Sequence, residues 1–336
     1  MSALRRLRGG LLAAAALSLA TALLAAPPAV AAAPSYVALG DSYSSGTGTR
    51  SYLADGTSCQ RSTYAYPSLI AVSRGYALNF RACSGATVAD VTNTQLSALT
   101  SGTAYVTISV GGNDAGFADV LTDCALPWWA ANCNRAIDGA QSYINNQLPS
   151  RLSTLYAAIR TRAAAAKVVV VGYPRIFMGV DCNAGTWFTS AEMTRLNQTA
   201  DLLNSRLSAA AAARGFTFAN PTSRFVGHAV CGNPEWINGL SWPITESFHP
   251  NRAGHASGYT PTVSPALTGA AVTVTRATVA VAAGQADALT AQQRQYAEQD
   301  AAITPQQFVA PDVTAPGMRR LARQHGVVYE RWLARQ

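Results

Sequence analysis

Short apolar runs that stop abruptly at small residues set the strongest limit on how this chain can fold. Tyr36-Val37-Ala38-Leu39 ends at Gly40-Asp41-Ser42, Ala77 to Arg81 at Ala82-Cys83-Ser84-Gly85, and Ala104 to Val110 at Gly111-Gly112-Asn113-Asp114. Between them lie longer segments of helical character, Tyr66 to Arg74 and Val88 to Leu99. Strands and helices that alternate in this way are joined by crossovers and pair in parallel. Lys167 to Gly172 continues the series as an unbroken valine run, the pattern of a strand covered on both faces. Gln141 to Ala166 carries Leu148, Leu152, Leu155 and Ile159 at helical spacing, with the start near Pro149, since proline is tolerated in a first turn. Thr189 with Glu192 makes a capping box for a helix to about Arg214, with Leu196, Leu203 and Leu207 inward. Gly215 ends it, and Phe216 to Ala219 reads as the last strand. Phe117 to Asn134 has no clear period and reads as an excursion. The expected fold is α/β in three layers, α/β/α, around a central, mostly parallel sheet.

In such a sheet the carboxyl ends of neighbouring strands converge on one crevice, so the turns at Ser42, Gly85 and Asn113 fall along one edge. An isolated Gly-Asp-Ser is more often a capped strand end than a reactive centre. Here Ser42 is a candidate nucleophile because two further turns supply what it lacks. The backbone N–H of Ser42, that of Gly85 and the side-chain amide of Asn113 can point at one oxygen, as an oxyanion hole requires. The hydroxyl also needs a base, and the chain has four histidines. His325 lies in the C-terminal tail, His228 beside a cysteine loop, and His255 opens the next helix, where packing or exposure is the ordinary role. His249, in Glu246-Ser247-Phe248-His249-Pro250-Asn251, is fixed by a Pro-Asn turn and has an acid three residues upstream. Asp41 and Asp114 read as braces of their own turns.

The N-terminus indicates the compartment. Arg5, Arg6 and Arg8 precede an apolar run from Leu11 to about Ala26 and the small-x-small pattern Ala29-Val30-Ala31. Residues 1–31 read as a secretory signal peptide cleaved after Ala31; a retained anchor would need a longer apolar run. Its loss removes three arginines and no acid, which takes the formal net charge from +8 to +5. The remaining arginines form no stripe interleaved with aromatics, so no nucleic-acid partner is expected. Six cysteines, an even count in an exported chain, argue for disulfides. Of the alternative pairings, spacing favours neighbours: Cys59–Cys83, Cys124–Cys133 and Cys182–Cys231. A zinc site would want C-x-x-C pairs, and none exists, so no metal is expected.

The blocks Gly40-Asp41-Ser42-Tyr43-Ser44, Gly85, Gly111-Gly112-Asn113-Asp114 and His249, in that order, resemble the SGNH (GDSL-type) serine hydrolase family over about residues 34 to 258. The cysteine layout and the continuation Tyr43-Ser44-Ser45-Gly46 are most similar to the secreted Streptomyces-type lipases, esterases and phospholipases. The resemblance implies a flavodoxin-like SGNH fold and a carboxylic ester hydrolase without cofactor. Ser42 would be the nucleophile, His249 the general base, and Ser42, Gly85 and Asn113 the oxyanion hole. Many members carry Asp three residues before the histidine, where this chain has Glu246. Others orient the imidazole with a backbone carbonyl two residues before it, here that of Ser247. A Ser42–His249–Glu246 triad and a carbonyl-assisted dyad both stay open at this point.

The expected substrate is a lipid acyl ester, taken by a monomer that works also at a membrane or micelle surface. Trp128, Trp129 and Trp187 in loops fit that reading, or are simply core. Acetylated carbohydrate as substrate, or an alcohol acceptor in place of water, would use the same site. A secreted, non-catalytic binding protein with a vestigial site is the reading from another class. After about Gly258 the pattern changes. Residues 259 to 284 read as edge strands or an extended linker, Gln285 to Ala302 as a polar helix, and Met318 to Arg335 as an arginine-rich amphipathic helix. The expected organisation is a signal peptide over 1–31, a hydrolase domain over 32–258 and an extension over 259–336. Truncation at Gly258 is expected to leave catalysis intact.

Overall fold

A computed structural model describes residues 32–335; the expected signal peptide over 1–31 lies outside the described residues. Strands β1 (Ser35–Gly40), β2 (Ala77–Phe80), β3 (Tyr105–Ser109), β4 (Lys167–Val171) and β5 (Thr217–Ala219) form one sheet in the order β2-β1-β3-β4-β5. Every neighbouring pair is parallel, and Gly40 stands level with Ser109 where β1 and β3 finish. Tyr36 to Leu39 and Val168 to Val171 are almost fully buried, as unbroken apolar runs between two helical layers must be.

The helices are α1 (Ser42–Ser45), α2 (Tyr66–Arg74), α3 (Val88–Asp90), α4 (Phe117–Cys124), α5 (Cys133–Asn146), α6 (Leu148–Arg162) and α7 (Ser190–Ala212). They continue with α8 (Thr260–Thr268), α9 (Arg276–Ala283), α10 (Ala286–Arg294), α11 (Ala297–Asp300), α12 (Ala315–Gln324) and α13 (Tyr329–Leu333). α5, α6 and α7 pack together as one layer, while α2, α8 and α9 pack together as another. The capping box of Thr189 and Glu192 opens α7, and Leu196, Leu203 and Leu207 are buried. Among the described residues, no helix is long and apolar enough to cross a membrane.

Several local expectations change. The excursion from Phe117 to Asn134 contains α4 and the start of α5, bridged by the Cys124–Cys133 disulfide. α4 has only eight residues, too few to establish a period. The single helix expected over Gln141 to Ala166 is two, broken at Gln147, with Pro149 in the first turn of α6. The helix expected from Val88 to Leu99 widens into a π-turn over Val91–Gln95 and then tightens over Leu96–Ala98.

The largest correction concerns the extension. Residues 260–268 and 276–283 are helical rather than strand or linker. Thr275 caps α9, and α8 turns Val263 and Leu267 into the core. A π-turn over Gly254–Tyr259 runs directly into α8, which packs on β4 and β5. From residue 33 on, the described residues form one compact unit with no break at 258. Asp300 of α11 pairs with Arg61 and Arg81, and all three side chains are fully buried. The expected boundary at Gly258 thus falls inside one compact unit.

Candidate active site

The end of β1 is held from three sides. Gly40 takes φ +122°, and a Cβ there would meet Ser109 O at 2.3 Å, so only glycine lets the backbone come so close to β3. Gln95, delivered by the π-turn, satisfies both polar groups of Gly40: its Oε1 accepts from the N–H at 2.7 Å and its Nε2 donates to the carbonyl at 2.9 Å. Asp41 caps α1, with Oδ1 accepting from the Tyr43 N–H at 3.1 Å and from the Ser109 hydroxyl at 2.7 Å, and Oδ2 accepting from the Tyr173 hydroxyl. Burial pushes the Asp41 carboxyl up to about 6, against these hydrogen bonds, which favour its charged form. Since Ser109 donates to Asp41, Ser44 donates to Ser109 at 2.7 Å and Tyr66 to Ser44 at 2.7 Å, a directed chain beneath the site. Ser42 opens α1 on this foundation.

His249 arrives from the opposite side. Phe248 before it adopts φ +62°, an unusual value for a bulky residue, and its carbonyl accepts from the Tyr43 hydroxyl at 2.8 Å. The imidazole Nδ1 lies 2.9 Å from the Ser247 carbonyl and Nε2 lies 2.9 Å from Ser42 Oγ. A carbonyl only accepts, so Nδ1 carries the proton and Nε2 is left to accept from the serine hydroxyl. Burial pulls the His249 pKa down to about 4, although the Ser247 carbonyl works the other way, so the ring is neutral near pH 7.

Glu246 does not share this arrangement. Its Oε1 accepts from the Tyr52 hydroxyl at 2.5 Å and its Oε2 lies 3.4 Å from Arg50 Nε. Of the two arrangements left open by the sequence, the geometry is that of a serine and histidine with the Ser247 carbonyl as orienter. The Ser42–His249–Glu246 triad is not assembled.

Gly85 and Asn113 line the same cavity as Ser42 and His249. Neither the Ser42 N–H nor the Gly85 N–H has an acceptor among the described residues, so both are free to meet an oxyanion. Asn113 Nδ2 donates to the Ala86 carbonyl at 3.0 Å, which leaves its second amide hydrogen. Asp114 braces the neighbouring turn by accepting from the Val88 N–H at 3.0 Å. Disulfides Cys59–Cys83, Cys124–Cys133 and Cys182–Cys231 are all present. The first, with Ser84 N–H donating to the Cys59 carbonyl at 3.0 Å, ties down the Gly85 turn.

The remaining candidates lie elsewhere. His228 stacks on Trp236, His255 is buried beside Tyr66 and Tyr259, and His325 packs on Trp129. Trp129 and Trp187 pack against Trp332 rather than lining the cavity, and Trp128 is exposed. The cavity, about 240 Å³, is walled instead by Phe117, Leu121, Ile144, Ile176, Leu203 and Phe248, with Pro305 and Phe308 from the extension. Sequence reasoning missed Gln95, Tyr173 and Phe308. Nothing in their neighbourhoods marks them, since each reaches the site from a distant part of the chain. Among the described residues, no group of three or more His, Cys, Asp or Glu side chains is placed to hold a metal ion.

The GDSL-like Lipase/Acylhydrolase family profile matches residues 38–257. Lipase 1 of Streptomyces coelicolor is 44% identical over 229 residues, which is 67% of this chain and 84% of that protein. The crystal structure of phospholipase A1 from Streptomyces albidoflavus superposes with a TM-score of 0.65 at 43% identity, covering 69% of this chain and 98% of that one. The extracellular lipase of Streptomyces rimosus superposes at 0.66 and 42% identity, covering 70% of this chain and 100% of its own.

Proposed function

Because this chain belongs to the GDSL-like lipase/acylhydrolase family, we propose that it is a secreted carboxylic ester hydrolase that cleaves lipid acyl esters through an acyl-enzyme on Ser42. The observation that carries the reading is the 2.9 Å approach of His249 Nε2 to Ser42 Oγ while Nδ1 is held by the Ser247 carbonyl. Ser42 Oγ bonds to the ester carbonyl carbon as its proton moves to Nε2. The oxygen, now negative, is received by the N–H groups of Ser42 and Gly85 and by the Asn113 amide. Nε2 returns the proton to the leaving alcohol oxygen as the ester C–O bond breaks. Water then gives a proton to Nε2, its oxygen bonds to the acyl carbon, and Ser42 leaves with that proton. Throughout, Ser247 O steadies the Nδ1–H of the imidazolium.

An apolar cavity lined by phenylalanine, leucine and isoleucine supports a fatty acyl group over acetate. The names of the relatives, lipases and a phospholipase A1, support the same choice. Disulfides and the N-terminal sequence support export. The test is product analysis of the purified protein on phospholipid, triacylglycerol and acetylated carbohydrate, with fluorophosphonate labelling. Wild type is expected to release long-chain fatty acid and to label at Ser42, and Ser42→Ala to do neither. Release of acetate alone would replace the substrate class; a protein that neither labels nor hydrolyses would be a binding protein.

A further inference from the structure

Beyond α11 the chain runs without helix or strand along the cavity, which residues 305–308 line. Pro305 lies so close on Gly85 that a Cβ on that glycine would meet Pro305 Cα at 2.3 Å. Phe308 is buried with its ring edge-to-face on Phe248, centroids 5.0 Å apart, and the next N–H, that of Val309, donates to Thr122 Oγ1 of α4 at 2.9 Å. Phe248 adjoins His249, and Thr122 adjoins Leu121 of the cavity wall. Phe308 thus closes the gap between the histidine loop and α4.

Both ends of this segment are fastened inside the molecule. Upstream, Asp300 receives Arg61 at 2.6 Å and Arg81 at 2.9 Å, and Ile303 is buried. Downstream, Met318 and Ala322 are buried, and Trp332 packs on Trp129 at 5.5 Å between ring centroids. A segment so held is a wall rather than a flap. It also lies wholly beyond residue 257, where the family match ends.

We propose that residues 303–308 form a fixed wall of the acyl cavity and that Phe308 is a specificity-determining residue that limits the length of the acyl group next to Ser42. This rests on the esterase reading above. The chain's own extension, in this view, completes the substrate site.

The experiment compares kcat/KM on p-nitrophenyl butyrate and palmitate for wild type, Phe308→Ala and Phe308→Trp, with fluorophosphonate labelling of Ser42 in each. Phe308→Ala is expected to raise the palmitate-to-butyrate ratio by about tenfold, the scale of a few atoms of apolar contact, and Phe308→Trp to lower it. Variants that label at the wild-type rate and keep the wild-type ratio would overturn the proposal. So would an equal loss on both esters, which marks a packing residue. If circular dichroism shows Phe308→Ala unfolded, Phe308→Leu carries the same comparison with a smaller expected rise. A wild type that labels nowhere and cleaves neither ester overturns the esterase reading and this one with it, an outcome distinct from an unchanged ratio in an active enzyme.

Discussion

A histidine takes a proton from serine only while its ring is neutral, so the burial of His249 sets the pH range in which the pair works. Desolvation lowers its pKa from 6.5 to about 4. The working base is present above that value and is lost as pH falls through it. We expect kcat/KM on a soluble ester to persist well below 6.5 and to fall near about 4; an acid limb at 6.5 would show that the ring is not desolvated as described. Glu246→Gln keeps the hydrogen bond from Tyr52 and does not touch the imidazole. It is expected to hold kcat within about tenfold of wild type, whereas losing the acid of a working triad costs about 10⁴. A loss on that larger scale would reinstate Glu246 as the orienter. Ser42, Gly85, Asn113 and His249 were legible in the sequence because each is tied to a local pattern, a strand end with glycine or a Pro-Asn turn. The choice between Glu246 and Ser247 was not, because Tyr52, 194 residues away in the chain, draws the carboxylate aside.

The strands were legible for a related reason: a strand buried on both faces is largely apolar, so β1 and β4 announce themselves over a few residues, and β3 is marked by its Tyr, Val, Thr and Ile. Elements that depend on a distant partner were not. The π-turn at Val91–Gln95 breaks the helical period so that Gln95 can return to Gly40, and the period alone reads as plain helix. That detour has a measurable role. Gln95→Leu would leave the buried N–H of Gly40 without a partner, at about 1–3 kcal/mol, while the Gly40 carbonyl would keep the Cys83 N–H at 2.9 Å. Because Ser42 follows two residues later, kcat should fall along with stability. Urea unfolding and ester hydrolysis measured on the same preparation check both; unchanged stability would mean that the clamp is dispensable.

Across the whole molecule, two guanidinium groups, Arg61 and Arg81, are balanced by two carboxylates, Asp55 and Asp300, with almost no exposure. Arg81 also donates to the Thr94 carbonyl at 2.8 Å and lies 3.8 Å from the Tyr296 ring centroid. Asp55 lies in the body while Asp300 and Tyr296 belong to the extension, so of the body's two buried guanidinium charges one is left for the tail to balance. Such a pairing, across 239 residues from Arg61 and 219 from Arg81, leaves no trace in local sequence, which is why the tail read as separable. Removing one partner of a buried ion pair costs about 3–5 kcal/mol, because the other charge stays desolvated. That is a large part of the roughly 5–15 kcal/mol that holds a typical domain together. Asp300→Ala is therefore expected to lower the melting temperature by on the order of 10 °C. Truncation after Gly258 removes Asp300 together with α8, whose Val263 and Leu267 are buried where it packs on β4 and β5, and should yield insoluble or unfolded protein. A truncated chain that melts cooperatively and hydrolyses esters at the wild-type rate would show instead that the body folds without its tail.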